Sequence, residues 1–365
     1  VGFELRLQAA ASSLRAEGID ALLITPGADL RYLVGYDAKP LERLTCLVLP
    51  AEGDPIMVVP ALEELAALAS PLADLGLSIV TWTETEDPIA LVAQRLSTAH
   101  VVALDDHMWA EKVLRFRQAM PQAVQKPAGS ILGPLRIRKD SEEIAALVAA
   151  GAAIDSVHER VGEMLRPGRT EREVGREIHD AIIDAGHAHV DFVIVASGPN
   201  GASPHHDVSD RVIREGDAVV VDIGGTMPDG YCSDSTRTYA VGEPDPDFLH
   251  HYAILHEAQR AAVESVRPGL TCEAVDAVAR DYMTQAGIGE LFIHRIGHGI
   301  GLQSHEEPYL VSGNTLELEP GMAFSIEPGF YVEGRFGARI EDIVICTPEG
   351  AQSVNHRPHH LQIIG

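Results

Sequence analysis

Apolar residues recur at helical spacing over residues 3–18, and a short apolar run at 21–25 leads into a turn at Pro26 and Gly27. Strand-like runs return at 45–49, 55–59, 78–82 and 101–104, separated by helical stretches such as 62–68 and 89–96. This alternation predicts an α/β domain. Its Trp82 and Trp109 fit core positions, and His100 and His107 stand alone. The pattern breaks at 130–139, where Gly133 and Pro134 precede a basic patch. Asp140, with Glu143 three residues later, then forms a capping box for a long helix. That helix runs through Ile144, Leu147, Val148, Ile154, Val157, Val161 and Leu165 at helical spacing and ends at Arg166-Pro167-Gly168. The predicted domains are therefore 1–133 and 134–365.

The second domain carries an internal repeat. Residues 166–174, RPGRTEREV, match RPGLTCEAV at 267–275, and Ala185-Gly186 matches Ala286-Gly287 at the same displacement of 101 residues. Ser197-Gly198 corresponds to His298-Gly299, and His205 to His305 after a single-residue slip. Each half then ends in a hairpin signal. In the first, apolar residues 218–221 lead to Met227-Pro228-Asp229-Gly230 and a threonine-rich return, with Asp222 and Asp234 each six residues from Pro228. In the second, Glu327 and Glu341 each lie seven residues from Gly334. Pairing around these turns sets each pair of carboxylates face to face. Facing carboxylates weaken a ladder by about 0.2–1 kcal/mol, and by more among apolar neighbours, so something positive belongs between them. Gly216 precedes Asp222, and Gly321 precedes Glu327, by the same six residues. Two half-domains packed about a pseudo-twofold axis would bring all four carboxylates to one cleft.

A histidine cluster accompanies them. In HRIGHGIG from His294, glycines at 297, 299 and 301 leave the backbone bare and let another chain or an ion approach His298; HEEP follows from His305. Four carboxylates and an imidazole carry too much negative charge for one small ion, and a pair of divalent ions fits better. Oxygen ligands favour Mn²⁺ or Mg²⁺, and the histidine shifts the choice towards Mn²⁺ or Co²⁺, with Fe²⁺ and Zn²⁺ also compatible. Water between two such ions loses a proton near neutral pH, so hydrolysis is the default chemistry. The C-terminal His356, His359 and His360 resemble a second cluster but read as ordinary tail histidines.

Composition narrows the ligands. A net charge of −26 in 365 residues repels DNA, RNA and anionic lipid. Cys46, Cys232, Cys272 and Cys346 lack the close spacing of a disulfide or zinc framework, which suggests buried thiols in a reducing compartment. No apolar run reaches the length of a membrane helix and the N-terminus does not read as a signal peptide, so a cytoplasmic protein is expected.

The series Pro204-His205, Asp222, Asp234, His298, His305, Glu327-Pro328-Gly329 and Arg339-Ile340-Glu341-Asp342 resembles that of the pita-bread metallopeptidases, from roughly residue 141 to the C-terminus. The N-terminal domain, with Asp29-Leu30-Arg31-Tyr32-Leu33-Val34-Gly35-Tyr36, resembles the creatinase-type domain that precedes the catalytic domain in aminopeptidase P and prolidase. The resemblance implies an α/β creatinase-type domain followed by an α+β pita-bread domain, an Xaa-Pro peptidase and a homodimer. It also implies two metal ions held by Asp222, Asp234, His298, Glu327 and Glu341. Asp234 and Glu341 would bridge the ions, and Glu327 would double as general base. His205 and His305 would contact the scissile carbonyl oxygen and the developing oxyanion. His206 is the rival of His205, since adjacent strand residues point oppositely. Arg339 shares the strand face of Glu341 and is expected to bind substrate or position a carboxylate, whereas Arg237, three residues from Asp234, points away.

Chain-length preference turns on one position. Some prolidases of this family carry an arginine directly after the H-x-x-P segment, where it grips the free carboxylate of a dipeptide; here that residue is Tyr309. The expected substrates are therefore proline-second peptides of three or more residues, cleaved by an Xaa-Pro aminopeptidase. An Xaa-Pro dipeptidase is the alternative if a basic residue such as Arg335, or one from a partner subunit, supplies the grip. A non-peptide amide hydrolase and a non-catalytic binding domain are weaker readings, the second because no expected ligand is missing.

Overall fold

The computed structural model describes residues 2–365. The chain divides after Arg136 into two compact units. The predicted boundary at residue 133 falls inside the helix Gly129–Arg136, whose Pro134 stands within the last turn.

The N-terminal unit is a six-stranded sheet in the order Ser78–Trp82, Ile56–Pro60, Cys46–Pro50, Ala21–Ile24, Val101–Leu104, Val124–Pro127. Cys46–Pro50 runs antiparallel to both neighbours, and the remaining pairings are parallel. The central strand Ala21–Ile24 is buried throughout, as an apolar run covered on both faces must be. The strand Val124–Pro127 does not stand out in the sequence, because it is a mostly exposed edge carrying Gln125, Lys126 and Pro127. Trp82 is core, donating to the Leu44 carbonyl, whereas Trp109 is 46% exposed and carries Lys112 on its ring.

In the C-terminal unit the capping box at Asp140 starts the helix Ser141–Met164. The two halves follow. In the first, Thr170 caps the 14-residue helix Glu171–Asp184, and in the second Thr271 caps the 14-residue helix Cys272–Gln285. The first half supplies the strands Cys232–Val241, Ala218–Thr226 and His189–Ser197 of a sheet whose outer strand beside Cys232–Val241 is the C-terminal Gln362–Ile364. The second supplies the sheet Glu306–Leu310, Gly297–Gly299, Ala323–Ile326, Asp342–Thr347, Gly350–Ser353, and a ribbon of Gly329–Val332 with Phe336–Arg339. Gly216 and Gly321 open the two hairpins with matching positive φ values of 88° and 93°, a conformation that favours glycine. One apolar cluster packs the helices Ser141–Met164 and Glu171–Asp184 against the first sheet, and a second packs Pro246–Ser265 and Cys272–Gln285 against the other. The halves meet at the bridge Thr236↔Glu341, and this seam holds the carboxylates.

Candidate metal centre and active site

The first hairpin does not pair around Pro228. Its loop is closed by the Met227 amide donating to the Tyr231 carbonyl at 2.9 Å, which centres the turn on Asp229. The register is therefore Asp222↔Thr236 and Gly224↔Asp234, and the two aspartates sit diagonally on one face instead of directly opposite. The second hairpin pairs as its spacing predicts. Ile326 faces Asp342 and Gly329 faces Arg339, so Glu327 and Glu341 take equivalent positions where the strands pass from sheet to ribbon.

Three groups of side chains bring ligand atoms within 4.8 Å of one another: Asp222, Asp234 and Glu341; His298, Glu327 and Glu341; and Asp234, His298 and His305. Burial, then repulsion from Glu341, Asp222 and Glu327, raises the Asp234 pKa well above the ordinary carboxylate range. Glu341 is raised likewise by burial and by Glu327 and Asp222. Burial alone would raise Glu327 too, but the hydrogen bond and charge of His298 outweigh it and bring the carboxyl down to about 2.

The glycines around His298 serve backbone approach. A Cβ on Gly297 would stand 1.9 Å from the Ser325 carbonyl oxygen, and one on Gly299 would stand 2.2 Å from that of Glu307. The neighbouring strands thus close on both sides of His298, which is 3% exposed. Its Nδ1–H donates to the Gly299 carbonyl at 3.1 Å, leaving Nε2 to face Glu327 Oε1 at 3.1 Å and Asp234 Oδ2 at 3.7 Å. An imidazole lone pair and a carboxylate oxygen at that distance require a positive charge between them, a proton or a cation. Asp222 Oδ1 is buried and has no hydrogen-bond partner among the described residues. Orphaned acceptors and crowded buried acids are the donor set a pair of divalent cations satisfies, so these residues fit such a centre.

Arg339, 3% exposed, lies beneath this cluster. It binds Asp222 Oδ2 at 2.5 Å and donates to Thr236 Oγ1 at 3.2 Å, the Tyr331 hydroxyl at 2.8 Å and the Pro204 carbonyl at 3.3 Å. With its nitrogens so engaged it holds Asp222 in place, the carboxylate-positioning arrangement of the two expected for it. Thr236 in turn donates to Glu341 Oε2 at 2.6 Å. Tyr331, which no motif marks, passes the chain on: its hydroxyl donates to His294 Nε2 at 2.9 Å, and His294 Nδ1 donates to the Arg295 carbonyl at 2.7 Å. Arg237 points away, bound to Asp342 at 2.7 Å and to the Glu341 carbonyl at 2.6 Å. His359 also binds Asp342, at 2.6 Å, and none of the tail histidines joins the acidic cluster among the described residues.

His205 and His305 are exposed. The His305 ring lies 3.9 Å from that of His298, centroid to centroid. Loss of water around it, and then His298, push its pKa down to about 4, so it is neutral at pH 7. His206 is turned onto Glu171 at 2.9 Å. Glu171 is fully buried and accepts also from Ser197, Ser209 and Asn200, an anchor for the segment that carries His205. Nothing in the sequence singles it out, since an acid in the first turn of a helix reads as dipole complementation. Arg335 pairs with Asp245 at 2.6 Å and Asp247 at 3.1 Å on an exposed surface.

Comparison with known proteins agrees with this geometry. Residues 145–348 match the model of metallopeptidase family M24, and residues 6–138 match the creatinase/prolidase N-terminal domain. A protein of Mycobacterium tuberculosis described as a probable dipeptidase, PepE, is 55% identical over 360 residues, which cover 98% of this chain and 96% of that one. An Xaa-Pro dipeptidase of Lactobacillus helveticus is 38% identical over 94% of this chain and 95% of its own. The crystal structure of dipeptidase PepE from Mycobacterium ulcerans superposes with a TM-score of 0.94 at 52% identity, covering 99% of this chain and 98% of that one. With a creatinase-type α/β domain ahead of a two-fold repeated domain whose seam gathers four carboxylates and His298, the chain belongs to the pita-bread metallopeptidases of family M24.

Proposed function

We propose that the protein is an Xaa-Pro dipeptidase that works with two divalent cations, manganese or cobalt before zinc or iron. The observation that carries the hydrolytic reading is the pair of acceptors at the seam, His298 Nε2 and Glu327 Oε1, 3.1 Å apart beside the raised acids Asp234 and Glu341. Preference for dipeptides rests on similarity along almost the whole chain to proteins described as dipeptidases. It replaces the aminopeptidase preference drawn from Tyr309.

In this reading Asp222 would serve one ion, His298 and Glu327 the other, and Asp234 and Glu341 both. The bound ions would supply a water acidified to near neutral pH and polarise the scissile carbonyl. The Glu327 carboxylate, ionised and fixed by the Ser325 hydroxyl at 2.9 Å, accepts the proton of the attacking water. His205 and neutral His305, at the exposed side of the cluster, donate to the carbonyl oxygen as it gains charge. Arg339 positions Asp222 without touching substrate. Small proline-containing peptides are the partners, and a homodimer is the expected assembly.

The test is release of proline from Ala-Pro and of alanine from Ala-Pro-Ala by metal-loaded protein, with a chelated control. Activity on Ala-Pro tenfold or more above that on the tripeptide is expected. The reverse preference would restore the aminopeptidase reading.

A further inference from the structure

Resting on the dipeptidase reading, we infer that Arg295, laid on the ring of Tyr309, grips the free carboxylate of the substrate and so selects dipeptides. A dipeptidase needs a cation at a fixed distance beyond the scissile bond, and Tyr309 itself offers only a neutral hydroxyl. The Arg295 guanidinium carbon lies 4.3 Å from the centroid of the Tyr309 ring. A ring at that distance attracts the cation without supplying an oxygen acceptor, so the guanidinium keeps N–H donors for a two-point contact with a carboxylate.

Placement favours the substrate cleft. Tyr309 is the cross-strand partner of His298, and directly opposed residues of an antiparallel pair project from the same face. The ring that carries Arg295 therefore stands beside the candidate metal ligand. In this assignment the terminal carboxylate of a bound Xaa-Pro dipeptide lies at this ring, beyond the carbonyl held at the metal ligands.

Availability and rigidity separate Arg295 from the other arginines. Arg339 is occupied with Asp222, Thr236 and Tyr331, and Arg335 with Asp245 and Asp247. Among the described residues no carboxylate lies within ion-pair distance of half-buried Arg295, in a protein of net charge −26. Its backbone is held from two sides. Buried Asp276 accepts from the Ile296 amide at 2.9 Å and pairs with Arg280, which donates to the carbonyls of Phe292 and His294. On the other side His294 donates to the Arg295 carbonyl, at the end of the relay from Arg339 through Tyr331. The grip is thus linked by hydrogen bonds to the carboxylate cluster it serves.

The experiment compares kcat/KM for Ala-Pro and Ala-Pro amide on the metal-loaded full chain, in wild type, Arg295→Ala, Arg295→Lys and Tyr309→Phe. Loss of a charge-assisted pair is about ten- to hundredfold. Wild type should prefer the free acid by that factor. Arg295→Ala should abolish the preference by raising KM for Ala-Pro about ten- to hundredfold more than KM for the amide, and Arg295→Lys should restore part of it. Tyr309→Phe, which keeps the ring, should behave as wild type. Calorimetric titration with L-proline reads the same capture without turnover and should weaken in Arg295→Ala. Equal losses on acid and amide would overturn the assignment of Arg295 alone, whereas a wild type that cleaves neither substrate would overturn the dipeptidase reading.

Discussion

Glu171 and the two adjacent histidines show how much one residue decides. His205 and His206 are indistinguishable by type, and only the buried carboxylate of Glu171 separates them by capturing His206 at 2.9 Å. His205→Ala should lower turnover about 10²-fold, as lost oxyanion donors do, whereas His206→Ala should act mainly on the segment's stability. A larger loss of turnover in His206→Ala would reverse the two roles. Glu171→Gln should cost about 3 kcal/mol, since Gln offers one acceptor oxygen where Ser197, Ser209, Asn200 and His206 all converge. Burial would raise the Glu171 pKa, but the hydrogen bonds from Ser197 and Ser209 bring it down to about 2. A carboxyl depressed on folding contributes stability that is complete above its unfolded pKa of about 4.5 and is lost as pH falls towards 2. Acid titrations of unfolding should therefore be flatter in Glu171→Gln than in wild type across that window.

At the scale of elements, the two hairpins put the same device to use by different routes. The Asp222 hairpin keeps both aspartates on one sheet face, while the Glu327 hairpin leaves its sheet at the two glutamates and resumes as a ribbon. Beside the second hairpin the short strand Gly297–Gly299 is squeezed between Glu306–Leu310 and Ala323–Ile326. Gly297→Ala would drive a methyl group to 1.9 Å from a backbone oxygen that no rotamer change can move. It should cost about 3 kcal/mol and weaken cation binding by shifting His298. Gly133→Ala is the control for substitution as such, because a Cβ there meets nothing within 4 Å and the residue lies in the helix Gly129–Arg136, which accepts alanine. Thermal unfolding and metal titration of the two variants check this, and equal behaviour would argue against a packed seam at Gly297.

Across the whole molecule, cation binding and folding are coupled through the seam. Asp234 and Glu341 have folded pKa values raised by burial and mutual repulsion, so the metal-free folded state takes up protons that the unfolded chain does not. The resulting penalty is full at high pH and is relieved as pH falls through the raised values. Chelated protein should accordingly unfold at lower temperature than metal-loaded protein at about pH 8, and the gap should narrow towards about pH 5. Unfolding midpoints with and without chelator measure it, and a gap independent of pH would contradict the charge-crowded cleft.

The sequence by itself determined what short-range pattern can carry. The capping box at Asp140, the 101-residue repeat, the spacing of Glu327 and Glu341 about Gly334, and the four acids with His298 are all local periodicities or matched offsets. Tertiary structure alone decided what depends on contacts between distant segments. The true turn centre at Asp229 set the aspartates on a diagonal, because a hydrogen bond from Met227 to Tyr231 outweighed the proline signal. Glu171, Tyr331 and Asp276 acquired their positions only when segments about 20 or more residues away, such as His294 for Tyr331, folded onto them. Tyr309 in the sequence argued against a carboxylate grip; its stacked neighbour Arg295 became visible only when strand pairing brought residues 295 and 309 together.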